Sequence, residues 1–190
     1  MTKDLDKLTR KELGRLFPII ISEPKSEWPD LFSEEKNKII ALLGEKTAIR
    51  IEHIGSTAVP NLSAKPTIDI LVEIPKGEDI KSKIISIMTS NGYNYMHDQT
   101  DHMMFVKGYT PDGFRGHCYH IHMGPIDHDG LWNRIYFRDY LKANPSAAFE
   151  YASLKKELAL KYKYDRESYT EAKTEFIEKL TKAAITTLKC

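Results

Sequence analysis

Apolar and polar positions along this chain switch between two periods, and the switches divide it into strands and helices. Residues 48–54 alternate polar and apolar, the pattern of a strand with one buried face. Residues 67–74 form a second strand that carries Asp69 near its start. Three more follow at 93–96, 102–109 and 118–123, with Thr110-Pro-Asp-Gly113 as a strong turn signal between the last two. Helical spacing sets Leu5, Leu8, Leu13, Leu16 and Phe17 on one side of residues 4–17, which Pro18 ends. From about 29 to 43, Leu31, Phe32, Ile39, Leu42 and Leu43 supply a buried face, with Gly44 as C-cap. Residues 78–90 place Ile80, Ile84, Ile87 and Met88 on one face before Asn91-Gly92 stops the helix. Helices at 133–141, 146–162 and 168–188 close the chain. The β-branched run 19–21, bounded by Pro18, reads as a short edge strand. The order of elements predicts an α+β fold: a mixed sheet with flanking helices and a helical C-terminal half.

At 190 residues, the expectation is one domain over 1–190, with 1–17 as an added N-terminal helix. A net charge of +1 gives no global field for polyanions, so there is no strong nucleic-acid signal, although local basic patches remain open. Two cysteines, Cys118 and Cys190, make neither a disulfide framework nor a metal spacing, and a reducing cytoplasm is expected. No apolar run is long enough to span a membrane, and the start, Met-Thr-Lys-Asp-Leu-Asp-Lys, lacks the character of a signal peptide.

The chemistry concentrates between Glu52 and Glu73. Gly55-Ser56-Thr57 breaks the first strand, and a turn of free N–H groups beside small hydroxyls is an anion cradle. Pro60 and Pro66 bracket a loop that carries Lys65. Asp69, on the next strand, is placed to hold a divalent cation that bridges the same phosphates. The competing reading is an ordinary connection with a buried or capping aspartate.

The run His53-Ile-Gly-Ser-Thr-Ala-Val-Pro60, then Lys65-Pro66 and Ile68-Asp69-Ile70-Leu71-Val72, closely resembles the GrpB-like family, which is grouped with the nucleotidyltransferase superfamily. Glu27-Trp28-Pro29 with Phe32, His120-Ile-His122, Phe137-Arg138-Asp139-Tyr140-Leu141 and Tyr169-Thr-Glu-Ala-Lys173 are similar to its other signatures, so the likeness covers most of the chain. The resemblance implies a nucleotidyltransferase-like mixed sheet. It also implies a nucleoside triphosphate and an acceptor as partners, and Mg or Mn as cofactor.

Such enzymes carry two acids two apart on one strand, about 7 Å between Cα atoms. Here Asp69 has Thr67 and Leu71 at those positions, and Glu73 is roughly 13 Å away along a strand. His120 and His122, also two apart, would complete a set with Asp69 if their strand lies beside it. That set suits Mn, Fe or Zn better than Mg. The alternative is one histidine in the core or groove and the other on a phosphate. His53 and His102 are further candidates, His117 and His128 read as loop residues, and His97 as solvent-exposed. Gly55, Ser56 and Thr57 are expected to bind phosphate, with Lys65 beside Asp69 as the catalytic pair. Arg138 is either a helix-surface ion pair or, by the resemblance, a pocket residue. Tyr169 and Lys173 share a helix face and suit base stacking and a terminal phosphate, or pack on one another. Tyr151 and Lys155 repeat that spacing and read as a packing pair. Arg50, Arg115 and Arg134 have no position assigned by pattern. Two functions follow: metal-dependent transfer of a nucleoside monophosphate to an acceptor, or a catalytically degenerate nucleotide- or phospho-ligand-binding module.

Overall fold

A computed structural model describes residues 8–96, 102–128 and 130–188. Leu5, His97 and Cys190, which figure in the sequence reading, lie outside them. In chain order the elements are α1 (Arg10–Leu16), α2 (Trp28–Leu43), β1 (Arg50–Ile54), a single 3-10 turn (Ser56–Ala58), β2 (Thr67–Glu73) and α3 (Glu78–Ser90). They continue with β3 (Asn94–Tyr95), β4 (Met103–Thr110), β5 (Gly113–Gly124), α4 (Asn133–Ala143), α5 (Pro145–Lys161), α6 (Arg166–Glu171) and α7 (Thr174–Leu188). This is the predicted α+β arrangement.

The five strands form one sheet in the order β1-β2-β5-β4-β3. β2 and β5 run parallel and every other pair is antiparallel. The period-2 alternation gives the central strands two different faces. Ile68, Ile70 and Val72 of β2, with Tyr119, Ile121 and Met123 of β5, enter the main core with Trp28, Ile39, Ile84 and Met88 from α2 and α3. One polar crosslink pierces this core: fully buried Glu35 of α2 accepts from Tyr93 Oη at 2.5 Å and Lys107 Nζ at 2.9 Å. Thr67, Asp69, His120 and His122 point to the opposite face. There the second layer, α4, α5 and α7, packs on its own cluster around Val59, Leu62, Phe137, Leu141 and Tyr151.

Three sequence expectations are corrected. Residues 19–21 are not a strand; a single antiparallel bridge joins Ser22 to Ala64. Ile19 instead buries against Leu158 and Tyr169, while Ile20 stays exposed. The first helix begins at Arg10, because Thr9 and Glu12 close a reciprocal capping box. The last predicted helix is two helices: α6 is capped by Asp165, whose carboxylate accepts from Ser168 N, and it tightens into a Lys173 N to Thr170 O bond (3.2 Å) before α7 restarts.

Candidate functional site

Asp69 is the centre of the open face. The parallel register sets it opposite His120, and the antiparallel register sets it opposite Ile54, where β1 ends. Gly55 follows Ile54 with φ 70°, and a Cβ there would stand 2.3 Å from Asp69 Oδ2. Only glycine lets the turn pass over the carboxylate. Gly55, Ser56, Lys65, Asp69, His120, His122 and Lys173 all line one cavity of about 1980 Å³ between the sheet and the helices. Asp69 keeps 28% of its side chain exposed, so it is reachable from that cavity.

Two residues that the sequence assigned to the site do not line the cavity. Thr57 is buried; its hydroxyl donates to Thr67 O at 3.3 Å and lies 3.0 Å from His53 Nε2, pinning the turn to β2. Arg138 donates through Nη1 to Glu52 Oε2 (2.7 Å) and His53 O (2.9 Å), and through Nε to Asp139 (2.7 Å). Its side chain is 11% exposed and ties α4 to β1. The ion pair with Asp139 was the plainer of the two sequence readings, and the partner in β1 explains why Arg138 stays away from the cavity.

The cavity is strongly basic. Lys155, 2% exposed, donates to Ser56 Oγ at 2.9 Å and Ser63 O at 2.5 Å, and its amine sits 4.6 Å over the Tyr151 ring. Lys173 and Lys65 both stand over the Tyr169 ring, at 4.1 and 5.6 Å, and Arg166 stands over Tyr109 at 5.7 Å. Burial, then the neighbouring Lys173, pulls the Lys155 amine down to about 7. Burial and Lys65 bring Lys173 to about 7; burial and Arg166 bring Lys65 to about 8. Seven lysine and arginine side chains and three carboxylates, Asp69, Glu167 and Glu178, line the cavity, an excess of four positive charges when all are ionised.

Burial pushes the Asp69 carboxyl up, but its hydrogen bond to His120 and the charges of His120, His122 and Lys65 outweigh that and bring it down to about 2. His120 Nδ1 lies 3.2 Å from Asp69 Oδ1 and its Nε2 lies 2.7 Å from Tyr109 Oη. Burial lowers the pKa of His120 against the pull of Asp69, so the ring is neutral near pH 7. His122 Nδ1 is 2.8 Å from His102 Nε2, and burial holds it well below the ordinary histidine value. Asp69, His120 and His122 therefore share a face, but not a coordination point. Among the described residues no group of three or more His, Cys, Asp or Glu side chains is placed to hold a metal. The donor set does not fit a resident ion bound by all three. The position two beyond Asp69, where a second acid would stand, is Leu71, fully buried with Ile54 and Leu131.

Sequence reasoning missed Lys155, Arg166 and Tyr109. The Tyr151–Lys155 pair does pack as expected, but the same amine also reaches Ser56. Its match to the Tyr169–Lys173 spacing was the one available signal.

The sheet and its helical layer have a fold found among solved structures. A structure of the Cid1 poly(U) polymerase bound to Mg 3′-dATP superposes with a TM-score of 0.53 at 12% identity, over 80% of this chain and 49% of that one, a likeness of fold alone. More specifically, residues 18–183 match the GrpB protein family, and the chain belongs to it. A crystal structure of the conserved protein GrpB from Enterococcus faecalis has a TM-score of 0.77 and 32% identity, over 90% of this chain and all of that one. A UPF0157 protein of Pseudomonas aeruginosa is 38% identical over 160 residues, 83% of this chain and 64% of its own length. A UPF0157 protein of Bacillus subtilis, YqkA, is 35% identical over 152 residues, 80% of this chain and 43% of its own length. The chain thus spans less than two thirds of the length of both curated relatives. No helix among the described residues is long and apolar enough to cross a membrane.

Proposed function

We propose that the chain transfers a nucleoside monophosphate from a nucleoside triphosphate to an acceptor hydroxyl. The observation that carries this reading is the convergence of Ser56, Lys65, Asp69 and Lys173 on one solvent-reachable cavity of a nucleotidyltransferase-like fold. In the proposed reaction the acceptor oxygen bonds to the α-phosphorus, the α–β bridging bond breaks and pyrophosphate leaves. Ser56 and the backbone at Gly55 position the phosphates, and Lys65, Lys155 and Lys173 stabilise the leaving charge. Asp69 aligns the acceptor. The hydroxyl proton passes through Tyr109 Oη to neutral His120 Nε2, and the Asp69 carboxylate stabilises the resulting imidazolium. Dependence on Mg or Mn belongs to this proposal as a question of assay, and no step is routed through the ion. A cytoplasmic location is part of the same reading.

The second reading, a phospho-ligand-binding module without turnover, is favoured by Leu71, sealed in an apolar cluster where a second carboxylate would stand. One experiment separates the two. The purified chain is incubated with each of the four ribonucleoside triphosphates and Mg or Mn, with pyrophosphate and adduct mass recorded. Pyrophosphate release that is abolished in a folded Asp69→Asn variant supports transfer. Wild-type turnover in that variant refutes the assignment of Asp69, and binding without release selects the module.

A further inference from the structure

We propose that the cavity grips a polyphosphate directly through Ser56, Lys65, Lys155, Lys173 and Arg166, with no divalent ion between protein and phosphate. The inference rests on the reading of this cavity as the ligand site and goes further by stating how the ligand is held.

Where Mg carries the phosphates, one or two carboxylates hold the ion beside the phosphate oxygens. Here lysines and arginines outnumber carboxylates along the lining by seven to three. Among the described residues, none of the four cations in the proposed grip is ion-paired with a carboxylate, and Asp69 is engaged by His120. Three lysines and the arginine lean on the faces of Tyr151, Tyr169 and Tyr109, which hold cations in place without neutralising them. Burial and mutual repulsion strain these amines, and an anion of three or four charges relieves that strain. Ser56 Oγ, 2.9 Å from Lys155 Nζ, adds a hydroxyl at the mouth of the Gly55 turn. The chemistry fits inorganic triphosphate and the triphosphate tail of a nucleotide alike.

The test is calorimetric titration of the full chain at pH 7 in EDTA, first with sodium tripolyphosphate, then with a nucleoside triphosphate. Both are expected to bind without metal; a nucleotide affinity within about tenfold of tripolyphosphate means the phosphates carry recognition, and a tighter one adds a base contact to the same grip. Asp69→Asn is expected to tighten tripolyphosphate binding about tenfold, because it removes the carboxylate whose charge acts on Lys65, Lys155 and Lys173 and repels the anion they hold. Lys173→Gln, at a half-buried position, is expected to weaken it at least about tenfold. Binding that appears only with Mg and vanishes in Asp69→Asn overturns the inference, as does an unchanged affinity in Lys173→Gln. Metal-free binding without pyrophosphate release leaves the inference standing and ends the transfer reading. Mg-dependent turnover without metal-free binding does the reverse.

Discussion

Replacing Lys155 by methionine, close in volume and uncharged, should stabilise the ligand-free protein at neutral pH. The amine is 2% exposed and its pKa falls from 10.5 to about 7. That drop corresponds to about 5 kcal/mol opposing the folded state well below pH 7, and about 4 kcal/mol at pH 7, where half the folded amines are already neutral. Methionine surrenders the donor to Ser63 O and the contact with Tyr151, at a cost of about 2–3 kcal/mol. The difference favours Lys155→Met by about 1–2 kcal/mol, a Tm rise of roughly 2–8 °C for a chain of this length. The sign must change with pH. The lysine is disfavoured only while protonated, so its penalty is full below pH 7 and fades as pH climbs toward 10.5. Thermal melts of both proteins from pH 6 to 10 should show the advantage of Lys155→Met shrink and then invert. A variant clearly less stable than wild type at pH 6, or an advantage indifferent to pH, would refute the reasoning.

The same charges predict that tripolyphosphate affinity falls as pH rises from 6 to 9, because Lys155, Lys173 and Lys65 must be protonated to bind and lose protons in that window; titrations in buffers of different ionisation enthalpy should report proton uptake near pH 7.5. Arg138→Ala should lower stability by about 1–3 kcal/mol, by leaving Glu52 to Arg50 alone and removing the donor to the His53 carbonyl, while anion affinity per folded molecule stays within about twofold; urea unfolding and calorimetry check both halves. Gly55→Ala should lower stability by about 1–2 kcal/mol, since its Cβ meets Asp69 Oδ2 at φ 70°, and should abolish any turnover by displacing that carboxylate; an unaltered melting curve would contradict the close approach.

Local signals carried much of this architecture. Period-2 alternation placed His120 and His122 on one face, the β2–β5 register brings Asp69 to it, and Gly44 and Asn91-Gly92 marked helix ends where the backbone turns out. What escaped is long-range. Lys155 meets Ser56 across 99 positions, and a charge on a helix reads as solvated until its neighbours are known. Arg138 finds Glu52 86 residues away, so its own segment could not distinguish a pocket residue from a strut. The break between α6 and α7 has no Gly or Pro to announce it. Burial of Tyr169 at 1% exposure anchors α6, and the turn that follows carries Lys173 to the cavity. The surroundings of the two histidines were hidden for a similar reason: His120 sits between Asp69 and Tyr109, and His122 Nδ1 faces His102 beside the start of β4.

The most direct measurement is a crystal structure grown with a non-hydrolysable nucleoside triphosphate. Phosphate oxygens are expected within hydrogen-bond reach of Ser56 Oγ and of the Lys155 and Lys173 amines, on the sheet face that carries Asp69. A nucleotide seated elsewhere, or phosphates turned away from those amines into solvent, would contradict it.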